Sequence, residues 1–334
     1  MQRSMEWAAT GKVTIPIPAD FPDAGKSKTA PVGKKNQEDR AVRMRVVLAL
    51  CGLWVCGQVP AAEPEKLKVI LIDGQNNHDW RKTTPVLKQH LEDTGRFTVD
   101  VSSNLRKDDK PGNVEKTVSF PPDLTKYDVL VSNYNGAPWP KETERTLEGL
   151  LKEGKIGLVI VHAANNSFGG WAEYNLMIGM GWRDKNFGER LKLDDQGKEV
   201  RVPKGEDQGS GHRTTGKWPV VVRDPGHPVT EGMPKEWMHN NDELYDNMRG
   251  PIKNVKVLAT AFSKGTGAHE PMIWTVDYGK GRVFHTPMGH DVSAMKCVGF
   301  AATLGRGTEW AATGKVTIPL PKDFPTDKEV RVTK

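Results

Sequence analysis

Cysteine is nearly absent from this 334-residue chain, which has only Cys51, Cys56 and Cys297. The first two fall in an apolar stretch near the front, so a chain that loses that stretch keeps Cys297 alone and can form no intrachain disulfide. Cys297 lies in a helical-looking segment after Asp291 and reads as a small buried residue, not a nucleophile. Neither a Gly-x-Ser-x-Gly nor a Gly-x-Cys-x-Gly elbow occurs, which removes the usual signature of a covalent hydrolase. Histidines and cysteines never pair at a diagnostic metal spacing, and no apolar run is long enough for a permanent membrane span. Nor is there a basic face. Of the formal charge of +6, residues 1–61 contribute nine Lys/Arg against five Asp/Glu, leaving 39 basic and 37 acidic groups beyond them. A nucleic-acid partner is therefore not expected. An apolar content of 37% is enough for a sizeable core.

The front of the chain reads as targeting, not fold. From Met44 a basic start, a short apolar run and small residues at Val59 and Ala61 have the layout of a secretory signal peptide, residues 44–62. Cleavage there predicts a mature chain beginning near Ala62 or Glu63, in the periplasm or outside the cell and free of the membrane. Ahead of Met44, Glu6–Pro22 recurs as Glu309–Pro325 with fifteen of seventeen positions identical. One copy at each end is not a solenoid pattern. The expectation is that residues 1–43 are the in-frame tail of an upstream paralogous gene; the alternative is a duplicated edge segment that pairs within or between subunits.

The body alternates strand and helix patterns. Leu67–Asp73 is an apolar strand that runs into the polar loop Gly74–Trp80; Thr84-Pro85 predicts a helix start and Gly95 its end. Strands follow at Phe97–Val101 and Tyr127–Ser132, then an amphipathic helix over Lys141–Glu153 closed by Gly154. The continuous apolar run Ile156–Val161 predicts a strand covered on both faces, ending abruptly in His162 and small or amide residues through Asn166. This rhythm predicts an α/β fold with a doubly wound, mainly parallel sheet in a single domain. Ligand crevices of such sheets lie at the carboxyl ends of strands. Asp73, Asn133 and His162 are thus expected on one rim. Arg183–Arg213 is charged, glycine-rich and weakly patterned, as a lid or insertion would be. Further strands are predicted at Trp218–Arg223, Val255–Ala261, Pro271–Val276 and Arg282–His285, before a closing helix.

His162-Ala-Ala after a buried strand, Asp224-x-x-His227-Pro228, Asp242-Glu243-Leu-Tyr245, Pro271-Met-Ile-Trp274, Tyr278-Gly-Lys-Gly-Arg282 and Gly289-His290-Asp291 stand in the order seen in ThuA-like proteins. Together they resemble the ThuA-like (trehalose utilisation) family over roughly Leu67 to Ala312. The resemblance implies a ThuA-like domain over residues 63–312, with 313–334 as a tail. It also implies a flavodoxin-like fold of the class I glutamine amidotransferase type and a role in bacterial sugar catabolism beside a sugar dehydrogenase that supplies 3-keto-glycosides. In the amidotransferases a cysteine nucleophile follows the strand matching Leu158–Val161, and here His162 stands there instead, so amidotransfer through cysteine is not expected.

What remains is a set of imidazoles and carboxylates suited to proton transfer beside a carbonyl. His162, Glu243 and His290 are the expected catalytic group. Substrate contacts are expected from Asp73, Asn76, Asn133, Asn166, Trp171, His212, Asp242, Tyr245, His285 and Asp291. A divalent ion such as Zn²⁺, held by His162, His285 and His290, is the alternative way to polarise a sugar carbonyl. Trp80, Trp139, Trp171, Trp182 and Trp274 are candidate sugar-stacking walls; His227 reads as a turn residue, and His78, His239 and His269 as surface groups. A keto-sugar or glycoside is the expected substrate, isomerised or cleaved. Readings from other classes are a non-catalytic carbohydrate-binding module and a homo-oligomeric scaffold joined through Thr313–Pro325.

Overall fold

The computed structural model describes residues 65–110 and 117–333. The expected signal peptide and the repeated segment at 6–22 lie outside the described residues. In chain order the elements are β1 (Leu67–Asp73), α1 (Trp80–Asp93), β2 (Phe97–Ser103), β3 (Thr117–Val118), β4 (Val129–Ser132), α2 (Lys141–Glu153), β5 (Gly157–Val161) and α3 (Ala172–Ile178). These are followed by β6 (Glu189–Leu193), β7 (Glu199–Val202), β8 (Gly211–Val222), β9 (Glu236–Asp246), β10 (Arg249–Gly250), β11 (Val255–Ser263), β12 (Ala268–Tyr278), β13 (Gly281–Thr286), α4 (Val292–Met295) and α5 (Val298–Thr313).

The sheet runs β3-β2-β1-β4-β5-β13-β12-β11-β8-β9. From β3 to β13 every pairing is parallel, and from β13 onward every pairing is antiparallel. The five longer parallel strands have the flavodoxin order, with its switch point between β1 and β4. The expected doubly wound α/β fold with flavodoxin-like strand order is present. It is extended by an antiparallel half that strand-by-strand reading leaves unpaired.

β5 is buried at every position because helices cover both faces of the sheet there. Alternation along β13 shows the two covers. Gly281 lies against the Leu151 carbonyl of α2 and His285 bonds the Ile178 carbonyl of α3, whereas Arg282 bonds carbonyls of α5 and Phe284 meets Gly307 of α5. Nearly all of α5 is buried, as its apolar composition requires.

Two expectations change. α1 starts at Trp80, with Pro85 inside it, so the predicted start at Thr84 falls one turn late. The Arg183–Arg213 stretch is not a loose lid: β6 and β7 form a hairpin that pairs β6 with β10 and β12, and buried Arg190 bonds Glu270 and Asp207. Polar residues read as loop because Arg190 is neutralised inside the fold. The tail is laid along its own body: the Ile318 carbonyl accepts from Arg306 Nη1 at 2.6 Å, the Thr326 carbonyl accepts from Met238 N at 2.8 Å, and Phe324 packs edge-on against Trp237.

An extra residue in β8 between Gly211 and Thr214, and one in β9 between His239 and Asp242, shift the register of this pair and bend the antiparallel half. β9, last on the sheet path, consequently contacts α4, α5 and β12. That return brings residues of β8 and β9 to the rim of the parallel half.

Candidate functional site

His162 stands where β5 stops. Its φ is +47°, in the left-handed region, and a non-glycine residue held there costs of order 1 kcal/mol. The surrounding structure fixes it: Nδ1 bonds the Pro287 carbonyl at 2.7 Å, and the Tyr245 hydroxyl lies 3.0 Å from Nε2. A carbonyl can only accept, so Nδ1 carries the proton and Nε2 is left with its lone pair facing Tyr245. Burial pushes the imidazole down to about 3, so the ring is neutral. Tyr245 is pushed far above the ordinary tyrosine range, chiefly by burial, and keeps its proton.

Glu243, on β9, is the centre of the constellation. Its Oε2 lies 3.9 Å from His162 Nε2, while Oε1 lies 3.4 Å from His290 Nε2 and 3.6 Å from His212 Nδ1. One carboxylate with 20% of its side chain exposed thus faces three imidazoles. His78, on the loop after β1, completes the group with its ring 4.7 Å from both His162 and His290. Burial lowers its pKa to about 4, with the neighbouring His290 adding to the effect.

A cavity of about 300 Å³ opens onto this group, lined by Asn77, His78, Asn166, Trp182, His212, Glu243 and Tyr245. A second, of about 380 Å³, adjoins it across Asn77 and His78 and reaches Lys82, His290, Asp291 and Ser293. Elsewhere, a cavity of about 380 Å³ beside α3 and Phe187 has no titratable wall and offers no such chemistry.

Asp242, the residue before Glu243, is buried and saturated. Its Oδ2 accepts from Gly289 N and pairs with His239 Nε2, both at 2.7 Å; its Oδ1 accepts from Glu243 N at 2.8 Å and His290 N at 3.1 Å. Gly289 has φ +101°, and a Cβ there would meet Phe300 at 2.9 Å, so the turn that presents His290 requires glycine. Arg183 performs a similar task on the opposite wall. Its guanidinium donates to the carbonyls of Asn165, Asn166 and Ser167, and to the Asn175 side chain, holding the turn that follows His162.

The structure therefore brings together His162, Glu243, His290, His212, Tyr245 and Asn166, with Asp291 in the adjoining cavity while also capping α4. Other expected contacts move. Asp242 has no free oxygen for a substrate and acts as a support. Asp73 is fully buried and accepts from Ser103 Oγ at 2.5 Å, its pKa raised to about 6 by burial. Asn133 is buried and donates to the hydroxyls of Thr83 and Thr84, while Asn76 bonds the Asn133 carbonyl and the His78 ring. Trp171 donates to Glu148 at 2.6 Å and packs on Tyr174, away from the cavity. Of the candidate stacking tryptophans only Trp182 lines the cavity.

His285 is not a partner of His162 and His290 in a metal set. It is fully buried, with Nδ1 3.2 Å from the Ile178 carbonyl and Nε2 3.2 Å from the Asn165 side chain. His78 is a site residue, not an ordinary surface group, and the signal for it was its place in the loop leaving β1, beside the switch point. His239 is likewise no surface group but is buried against Asp242. His227 behaves as its turn predicted, its Nδ1 accepting from Val229 N at 3.2 Å.

Fold and site together define a doubly wound α/β protein with a cluster of histidines around one carboxylate at the carboxyl rim of its sheet. The chain belongs to the ThuA family, whose model, described as trehalose utilisation, matches residues 68–311. A ThuA-like protein from Parabacteroides merdae ATCC 43184 is 42% identical, with a TM-score of 0.73 and coverage of 80% of this chain and 98% of that one. A ThuA-like protein from Bacteroides uniformis ATCC 8492 is 16% identical, with a TM-score of 0.48 and coverage of 77% and 96%. No curated protein matches the chain.

Proposed function

We propose that this protein cleaves a 3-keto-glycoside by proton transfer at the cavity that Glu243 faces. The observation that carries the reading is the single carboxylate 3.4 to 3.9 Å from three imidazoles, with a protonated tyrosine beside them. Family membership supports a sugar substrate, and the smaller cavity stands at the lower end of the range of ligand pockets, a size suited to one sugar ring.

A ketone at C3 makes the C2 proton acidic. His290 takes that proton, and Glu243, 3.4 Å away, stabilises the imidazolium that forms. Tyr245 donates its hydroxyl hydrogen bond to the enolate oxygen, turning from His162, which stays neutral. The C1–O bond then breaks, C1=C2 forms, and His290 returns the proton to the departing oxygen. Return of the proton to carbon instead would give isomerisation through the same enolate. Neither outcome needs a covalent nucleophile.

The test is NMR of 3-keto-trehalose incubated with the purified protein. New glycal and free-sugar signals with wild type, lost in His290→Ala, support the reading. Line broadening without product would favour a carbohydrate-binding role and overturn the enzymatic one. We also propose export through the segment beginning at Met44, checked by the intact mass of the protein recovered outside the cytoplasm.

A further inference from the structure

We propose that His78, His162 and Glu243 form a binding site for a divalent first-row transition ion of the Zn²⁺ class. One ligand atom from each of the three lies within 4.8 Å of the others, drawn from the β1 loop, the end of β5 and β9. Tetrahedral zinc with nitrogen and oxygen ligands at about 2.0–2.1 Å needs ligand atoms roughly 3.3 Å apart. Small side-chain rotations close that gap: His162 Nε2 and Glu243 Oε2 are already 3.9 Å apart.

The surroundings of the two histidines point the same way. Ligating imidazoles characteristically present one nitrogen to the ion and give the other N–H to an oxygen acceptor behind it. His162 turns Nδ1 to the Pro287 carbonyl at 2.7 Å, and His78 turns Nδ1 to the Asn76 side-chain oxygen at 3.2 Å. In each ring Nε2 is the nitrogen left for the ion. Asn76 is itself held by the Asn133 carbonyl, so the acceptor behind His78 is anchored to the end of β4. Tyr245, now 3.0 Å from His162 Nε2, turns its hydroxyl outward when the ion is bound.

Two histidines and one carboxylate leave a coordination position open, as sites that act on substrate do. Glu243 ligates through Oε2, and its Oε1 still faces His290 and His212. An ion there polarises a substrate carbonyl as a Lewis acid without displacing the proton-transferring pair. The substrate part of this inference rests on the keto-glycoside reading above; the ion site itself does not.

The test is metal binding without sugar. The full chain is stripped with chelator and titrated with Zn²⁺ by calorimetry and with Co²⁺ by visible absorption. We expect one equivalent of either ion and d–d bands of a four- or five-coordinate centre. His78→Ala and, independently, Glu243→Gln should weaken binding by at least about 100-fold, while Asn76→Ala should weaken it about 10-fold to 100-fold. His212→Ala should leave it within about threefold. Circular dichroism of each variant reports folding. Absence of stoichiometric binding by the folded wild type, or equal affinity in folded His78→Ala and Glu243→Gln, would overturn the proposal. Stoichiometric binding without keto-glycoside turnover would leave the ion site standing and remove the proposed reaction.

Discussion

The Asp242 carboxylate accepts the backbone N–H of His290 at 3.1 Å, so a buried side chain on β9 sets the position of an imidazole carried by the loop after β13. The next residue on the same strand, Glu243, meets that imidazole from the front.

Asp242→Asn leaves His239 without its counter-charge and replaces an acceptor by a donor. Breaking one side of a buried pair costs about 3–5 kcal/mol, and the melting temperature should fall accordingly. Turnover should fall with it, and Gly289→Ala should reproduce the loss of turnover through the backbone while leaving the His239 pair intact. Thermal melts and steady-state rates of both variants check this.

Glu243→Gln keeps shape and removes charge. Its partly exposed position predicts a melting temperature close to wild type, with turnover reduced by about 10²- to 10⁴-fold, the usual share of acid–base assistance. A variant with full activity would remove Glu243 from the chemistry.

Arg183→Ala strips several buried carbonyls of their donor. Each unsatisfied group costs about 1–3 kcal/mol, so the variant should be among the least stable in the chain. Arg183→Lys should recover only part, because an ammonium cannot reach the Asn165, Asn166 and Ser167 carbonyls and the Asn175 side chain from one plane. Denaturant unfolding of both variants measures it.

Stability should fall on both sides of neutrality. Burial lowers His285 to about 3 and His227 to about 4, so both rings are neutral in the fold. Their unfolded counterparts bind protons below about pH 6.5, and stability is lost as pH falls from there toward 4. His239 works in the opposite sense. Burial opposes its charge, but its contacts with Asp242 and Cys297 prevail and raise it to about 9. Its contribution is present below about pH 6.5 and is lost as pH rises through 9. Melting temperatures from pH 4 to 10 should trace a dome; a flat acid limb would contradict the buried neutral histidines.

The parallel half was legible because buried β5 and the turn at Gly154 carry their own signals. So was His162, since an apolar strand ending in histidine has one obvious rim. The return of β9 was not legible: it depends on bulges in β8 and β9 and on pairing between strands far apart in sequence. Asp242 and Glu243 are adjacent and chemically alike, and only alternation along a strand of known orientation separates the buried support from the cavity-facing group. His78 and His285 exchanged places for the same reason. Composition gives both as imidazoles, whereas the Ile178 carbonyl and the Asn165 side chain that occupy His285 belong to distant elements.

The most direct measurement is deuterium exchange into 3-keto-glucose in D₂O, followed by NMR at C2. Wild type should incorporate deuterium well above the buffer rate, and Glu243→Gln and His290→Ala should fall to that rate. Binding of the sugar with no exchange above buffer would contradict proton transfer at this site.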